Sequence, residues 1–429
     1  MADSTNQTFD GLLKRYTPHN LFVEALKRLN YFWEKIAKDE NWFGGPYDVP
    51  FESGEASALR FGKLTAADDI TETQAEVGTI TSYKELYGSM VFNHKDLDFD
   101  DLKGSFLKIL PDKLNQFMKR MSERVSQTCL NGAHICQLAN PAISGVVDPA
   151  DTTGVCYMEK GIRLRIGQGI QLYDGTDTLP SASTQYYVKY IDRGAVAGYP
   201  HIAKVTLADD IALANLSDLS TDGAAYNSSN NFKAYERGGR DSAFTSLASI
   251  LLSAANGGDA TVYGKTKASF PYLQAQQYDG SDIDETTIMD ELCDAFNQVE
   301  ELSSGSPTEI LMSFKHFNTI SKLNRDNIRF TVSDKKIGIG FKSVQLDGIE
   351  GNMRITALRD MDDDKMFIMD WSALKFAGKH FFKKMDYNGK MFYQVRAETG
   401  VTNIVDIKLY GDLVCTAPCN LGVIFGISY

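Results

Sequence analysis

The stretch "GGDATVYGKT", Gly257 to Thr266, holds the residue types of a phosphate cradle: glycines, then a lysine and a threonine. A P-loop reads G-x-x-x-x-G-K-[ST], and its backbone N–H groups wrap phosphate where a strand turns into a helix. Here Asp259 stands where the first glycine belongs, and Gly258 comes one place early. An acid in the cradle would repel phosphate. The flanks are reversed as well. The helical pattern "SAFTSLASILLSAAN" precedes the glycines, which then read as a helix terminator, and Pro271 falls where a phosphate-binding helix should run. The stretch is a decoy.

Other chemistry-bearing residues fail in the same way. "DLDFDD", Asp96 to Asp101, starts like a calcium loop, but Asp101 replaces the required glycine and Leu107 the bidentate glutamate. Asp360 to Asp364 also lacks that spacing, and both runs read as solvated turns. Gly338 and Gly340 in "GIGFKS" precede a strand rather than a helix, which suits a bulge or tight turn. G-x-S-x-G and H-E-x-x-H are absent. The histidines (His19, His94, His134, His201, His316, His380) are far apart, and one such as His316 in an amphipathic helix reads as structural. Cys129, Cys136, Cys156, Cys293, Cys415 and Cys419 include no C-x-x-C pair. "VCTAPC" comes nearest to a metal site, and buried thiols in a reducing compartment are the simpler reading. No catalytic, cofactor-binding or metal-binding residue is assigned, and no cofactor is expected. A chain this long without a catalytic constellation points toward a structural role.

The elements that would have to position any site are legible from periodicity. A chain of 429 residues exceeds what one core usually organises, so two to four units are expected. Its net charge of −12 argues against wrapping nucleic acid, and its basic residues read as scattered. No apolar run reaches the roughly 20 residues that span a bilayer. The polar start "MADSTNQTFDG" has no signal-peptide core, which implies use in the cytoplasm or in something assembled there. Asn20 can cap an amphipathic helix over 21–38, with Phe22, Leu26, Leu29, Trp33 and Ile36 on one face. Residues 55–95 read as an extended two-stranded excursion with little core of its own.

The clearest helix starts at Pro111, in its first turn, and ends before Gly132. Residues 155–215 alternate like a small antiparallel barrel. A helix with Thr287 and Asp290 as a capping box carries the stripe Ile288, Leu292, Phe296, Val299 and Leu302. A buried strand "TEILMS", a helix "FKHFNTISKL" and a strand-rich close follow.

This order of parts resembles the major capsid protein of tailed double-stranded DNA phages, the Hong Kong 97-type fold. The likeness covers nearly the whole chain and is strongest from about Arg240. "SFPYLQAQQYDG" looks like the segment leading into that family's central domain, and "PTEILMSFKHFNTISKLNRD" is similar to its strand-then-helix pattern. "IGIGFKSVQLDGIEGNMRITALRDMDDDKMFIMDWSALKF" looks like its glycine-bearing hairpin, and "CTAPCNLGVI" resembles its closing strand.

The resemblance implies an α+β fold in six parts. Residues 1–50 would be an N-terminal arm, and 51–95 an extended β-hairpin loop. Residues 96–154 would be a peripheral domain with a long spine helix, and 155–230 a small inserted β-barrel domain. Residues 231–370 would be an axial domain, and 371–429 strands returning to the peripheral domain. It also implies assembly without turnover, no cofactor and no membrane. Copies of the chain would form pentamers and hexamers that enclose DNA without sequence-specific binding, with portal and scaffold or decoration proteins as further partners. The alternatives are a tail or decoration protein, separable by electron microscopy, and an enzyme acting on nucleotides or sugars, which ligand would stabilise.

Overall fold

The computed structural model describes residues 30–42, 45–52, 75–93, 103–139, 146, 154–173, 185–194, 196, 199, 201–210, 212–213, 233–236, 238–303, 305–323, 344–347, 352–384, 393–397 and 400–427. Helix α1 (Tyr31–Lys35) is capped by Asn30, whose side-chain oxygen accepts from Trp33 N–H at 3.2 Å. It is shorter than the helix expected to run to Lys38. Ile36 is already extended, and strand β1 (Ala37–Asp39) pairs in parallel with Lys375, Phe376 and Ala377. The Asn20 cap lies outside the described residues.

Strands β2 (Tyr47–Glu52) and β3 (Ala75–Ile80) pair antiparallel, from Tyr47 opposite Ile80 to Glu52 opposite Ala75. Strand β4 (Lys84–Asn93) belongs to a different sheet. The excursion expected over 51–95 therefore begins inside the expected arm and ends before β4. Val49, Phe51, Ile80 and Met90 are buried, so these strands carry core residues, contrary to expectation.

Helix α2 (Lys103–Asn131) has 29 residues, about 44 Å at 1.5 Å per residue. Pro111 lies in its interior rather than its first turn. Gly132, with φ of 108°, follows its end.

Six strands then close a barrel: β5 (His134–Leu138), β6 (Val155–Glu159), β7 (Gly169–Tyr173), β8 (Tyr186–Asp192), β9 (Ile202–Ala208) and β10 (Lys233–Glu236). Their order is β10-β5-β6-β9-β8-β7, and β10 bonds both β5 and β7. Alternate residues such as Ile170, Leu172, Tyr186, Val188, Val205 and Leu207 fill the interior. Closure recruits β5 and β10 from outside the expected 155–230. With the turn α3 (Gly239–Ser242), the barrel makes one compact unit, Gly132–Ala243.

The other unit takes in Met1–Asn131 and Phe244–Tyr429. The helix expected over 242–256 is broken. Ser246 caps α4 (Leu247–Leu251), Leu252 turns extended, and a 3₁₀ turn at Ala254–Asn256 ends at Gly257. Hairpin strands β11 (Thr261–Val262) and β12 (Lys265–Thr266) lead to β13 (Gln276–Asp279). Helix α5 (Ile288–Leu302) is capped differently from the expected box. Thr287 makes no side-chain cap bond, and Asp284 Oδ1 accepts from the N–H groups of Thr286 at 2.6 Å and Thr287 at 2.8 Å. Leu302 leaves the predicted stripe and is 56% exposed.

Strand β14 (Glu309–Met312), helix α6 (Phe314–Leu323) and strands β15 (Val344–Asp347), β16 (Asn352–Ala357) and β17 (Lys365–Met369) follow. The chain closes with β18 (Leu374–Lys384), β19 (Tyr393–Ala397), β20 (Gly400–Cys415) and β21 (Gly422–Phe425). The "GIGFKS" glycines lie outside the described residues.

Two sheets organise this unit. A mixed six-stranded sheet runs β13-β21-β17-β14-β16-β15. Ile310, Ile368 and Ile424 pack with Leu292, Phe296 and Val299 of α5, whereas Leu311, Phe367 and Val423 join the larger core. The sheet is thus buried on both faces, which is why its strands read as continuous apolar runs. The second sheet runs β1-β18-β20-β19, with β4 along β20. Gly88 of β4 admits α2: a Cβ there would lie 2.4 Å from Phe117 Cζ and 3.0 Å from Met121 Sδ. The last strand of the expected 371–429 return, β21, lies between β13 and β17. The turn Pro418–Asn420 redirects the chain after β20.

Candidate functional site

The decoy loop has a structural use. Tyr263 and Gly264 both take left-handed backbone (φ 49° and 78°) at the β11–β12 turn, the geometry that two-residue hairpins favour. That turn plants Tyr263 in the core. Its ring stacks on Phe51 at 6.0 Å, its hydroxyl donates to Leu413 O at 3.2 Å, and it accepts from Cys415 N–H at 2.8 Å. Lys265, the would-be phosphate lysine, pairs with Glu76 at 2.9 Å. Lys267 is a buried cation. It donates to Ser249 O at 2.6 Å and Leu252 O at 2.7 Å, carbonyls at the end of α4, and burial pulls its ammonium down to about 8.

The acidic turn Asp360–Asp364 receives the end of α2: Asn131 donates to Asp360 O. His316 is fully buried, with Nε2 2.7 Å from Asp363 O. The Asp96–Asp101 run, His19 and His94 lie outside the described residues. Among the described residues no group of three or more histidine, cysteine or acidic side chains could hold a metal. Cys129, Cys136, Cys156 and Cys415 are buried, while Cys293 and Cys419 are half-buried. Burial pushes the Cys415 thiol up, away from thiolate chemistry. No helix among the described residues is long and apolar enough to cross a membrane.

Among the buried carboxylates that escaped sequence reasoning, two are well satisfied. Glu309, at the start of β14, accepts from Tyr31 O–H at 2.6 Å, from Trp371 Nε1–H at 2.8 Å and from Thr356 Oγ1–H. Burial and this acceptor push the Tyr31 phenol up to about 12. Trp33, two residues on, sits edge-on to Phe376 at 5.1 Å and Phe382 at 5.4 Å on β18. The segment at 30–39 is therefore pinned to both sheets. Asp412 of β20 accepts from Thr245 N–H at 2.7 Å, Thr245 Oγ1–H at 2.8 Å and Leu413 N–H at 2.8 Å. Burial outweighs those donors and raises its carboxyl to about 6. An acid directly before an apolar strand run was the only sequence signal for either group.

What the geometry leaves open is a surface. On β4, Tyr87 is 52% exposed and Val91 58% exposed, on the face away from α2. They stand opposite Lys408 and Ile404 of β20, and Tyr87 O–H meets Tyr410 O–H at 2.7 Å. Tyr83 and Tyr87 both stand edge-on to the Tyr410 ring. Such a ten-residue strand can bury apolar side chains against another surface, but it holds no reactive group.

Residues 230–412 match the family described as SU10 major capsid protein. The matched span includes α5, α6, all of the six-stranded sheet except β21, and β20 up to Asp412. The chain is similar to the structure titled Cyanophage A-1(L) capsid asymmetric unit, with 11% identity and a TM-score of 0.46, covering 93% of each chain. It is similar to the capsid of a native GTA particle, with 9% identity and a TM-score of 0.44, covering 92% of this chain and 89% of that one. For the capsid of Myoviridae phage XM1 the values are 8% and 0.40, covering 93% and 92%. No curated protein matches the chain. The part of this α+β chain that carries most of its six-stranded sheet is thus similar to a major capsid protein family.

Proposed function

We propose that this subunit completes its burial among copies of itself, forming pentamers and hexamers that tile an icosahedral shell around double-stranded DNA. The observation that carries the reading is the capsid match over residues 230–412, which runs through both sheets. In Hong Kong 97-type terms, the chain up to about residue 46 is the arm. The β2–β3 pair with residues 53–74 is the extended loop, and α2 is the spine helix. The six-stranded sheet is the axial domain, the β4–β20 sheet belongs to the peripheral domain, and the barrel is the insertion. The activity is geometry rather than turnover. Heterologous contacts between identical subunits close into rings. Portal and scaffold or decoration proteins complete the particle, which assembles in the host cytoplasm.

The exposed face of β4 supports this reading, because Tyr87 and Val91 are the side chain types that interfaces bury. Replacing both (Y87S/V91S) leaves the subunit folded by circular dichroism and lowers the fraction that sediments as large assemblies. Unchanged sedimentation would remove this face from the contacts between copies.

A further inference from the structure

We infer that the solvent face of α2 is a contact surface for the phosphodiester backbone of the enclosed duplex, an inference that rests on the shell reading above. The chain is acidic overall, at −12. Helix α2 is the opposite: Lys103, Lys108, Lys113, Lys119, Arg120 and Arg124 stand against Asp112 and Glu123 alone. Most basic residues lie elsewhere, but this helix carries more cations than acids.

In the described part of the helix, Met118, Met121, Val125 and Cys129 are buried. Lys119 and Arg120 are exposed, and Arg124 is half-buried. Glu123, the one acid among them, is met by Arg359 at 3.4 Å from the turn after β16. Arg124 donates to Gln127 Oε1 at 2.9 Å, so cations outnumber the one acid along this stretch. From Lys119 to Arg124 the helix rises about 7.5 Å, roughly two phosphate steps of one strand.

Among the described residues of α2, from Gln116 on, no large apolar side chain is exposed, whereas the far side of the sheet exposes Tyr87 and Val91. A contact between proteins needs an apolar centre. A contact with a polyanion needs only cations that displace counterions. The layer is thus two-sided: aromatic on the sheet, cationic on the helix.

The test compares wild type with K119Q/R120Q, and with K119R/R120K, which keeps both charges. Fluorescence anisotropy follows unassembled subunits binding a short DNA duplex, and electron microscopy follows shell formation. Removing two phosphate contacts lowers the salt slope by about 1.8, so between about 50 and 200 mM salt the wild type loses about 12-fold more affinity than the glutamine variant. The charge-keeping variant binds as wild type does, and all three form shells. Equal salt slopes, or no wild-type binding at about 50 mM salt, overturn the inference. So does loss of shells in the glutamine variant with its duplex binding intact, which would place the face between copies. Wild type that binds duplex but forms no shells counts against the shell reading instead.

Discussion

Asp412 is the residue at which function and stability are easiest to separate, because it is buried beside Thr245 and faces no ligand. Its carboxyl sits at about 6 in the folded chain, above the ordinary 3.8. Between those values the folded state holds more protons than the unfolded one. Stability is therefore greatest below the unfolded value and falls as pH rises toward 6, by up to about 3 kcal/mol. In D412N that dependence disappears. Urea unfolding at several pH values, wild type minus variant, should show the difference changing between about pH 4 and 6 and level outside that window. A flat difference throughout would mean that Asp412 titrates normally. Neither Asp412 nor Glu309 was legible beforehand: an acid in a strand reads as solvent-facing, and the donors that satisfy Glu309 lie 278 and 62 residues away for Tyr31 and Trp371.

At the scale of elements, periodicity found what local burial dictates and missed what tertiary contacts dictate. The extents of helix α5 and strand β14 were legible because their apolar patterns face a core directly, whereas the α5 cap and the exposed Leu302 were not. Pro111 misled the start of α2, since proline at a first turn is a preference that a long packed helix can override. The α4 region failed because Leu252 turns extended while its carbonyl accepts from the Lys267 ammonium, 15 residues on. The extended loop shows the same limit. A deletion of Lys63 to Tyr87 would take all of β3, with Gly78 and Ile80, and the first four residues of β4. The cleaner cut replaces residues 53–74 with Asn-Gly. Glu52 and Ala75 are already cross-strand partners, so a two-residue turn can join them. This variant keeps a cooperative thermal transition yet yields no shells by electron microscopy. Normal shells would show that residues 53–74 are dispensable for assembly.

Across the whole molecule, chemistry is spent on holding layers together. Lysines cap carbonyls or pair with carboxylates, tyrosines bridge strands, and the buried cysteines are inert. On the described surface, Tyr87 and Val91 are exposed on one strand and Lys119 and Arg120 on one helix, within a net-acidic chain that would resist condensing on DNA as a whole. The barrel has its own closed core, so its unit, Gly132–Ala243, carries its burial within itself. The central claim is that the subunit's activity is to build a shell, and electron microscopy of the purified, expressed chain tests it most directly. Closed particles built from rings of five and six are the predicted image; a uniform field of single subunits or open tubes would contradict it.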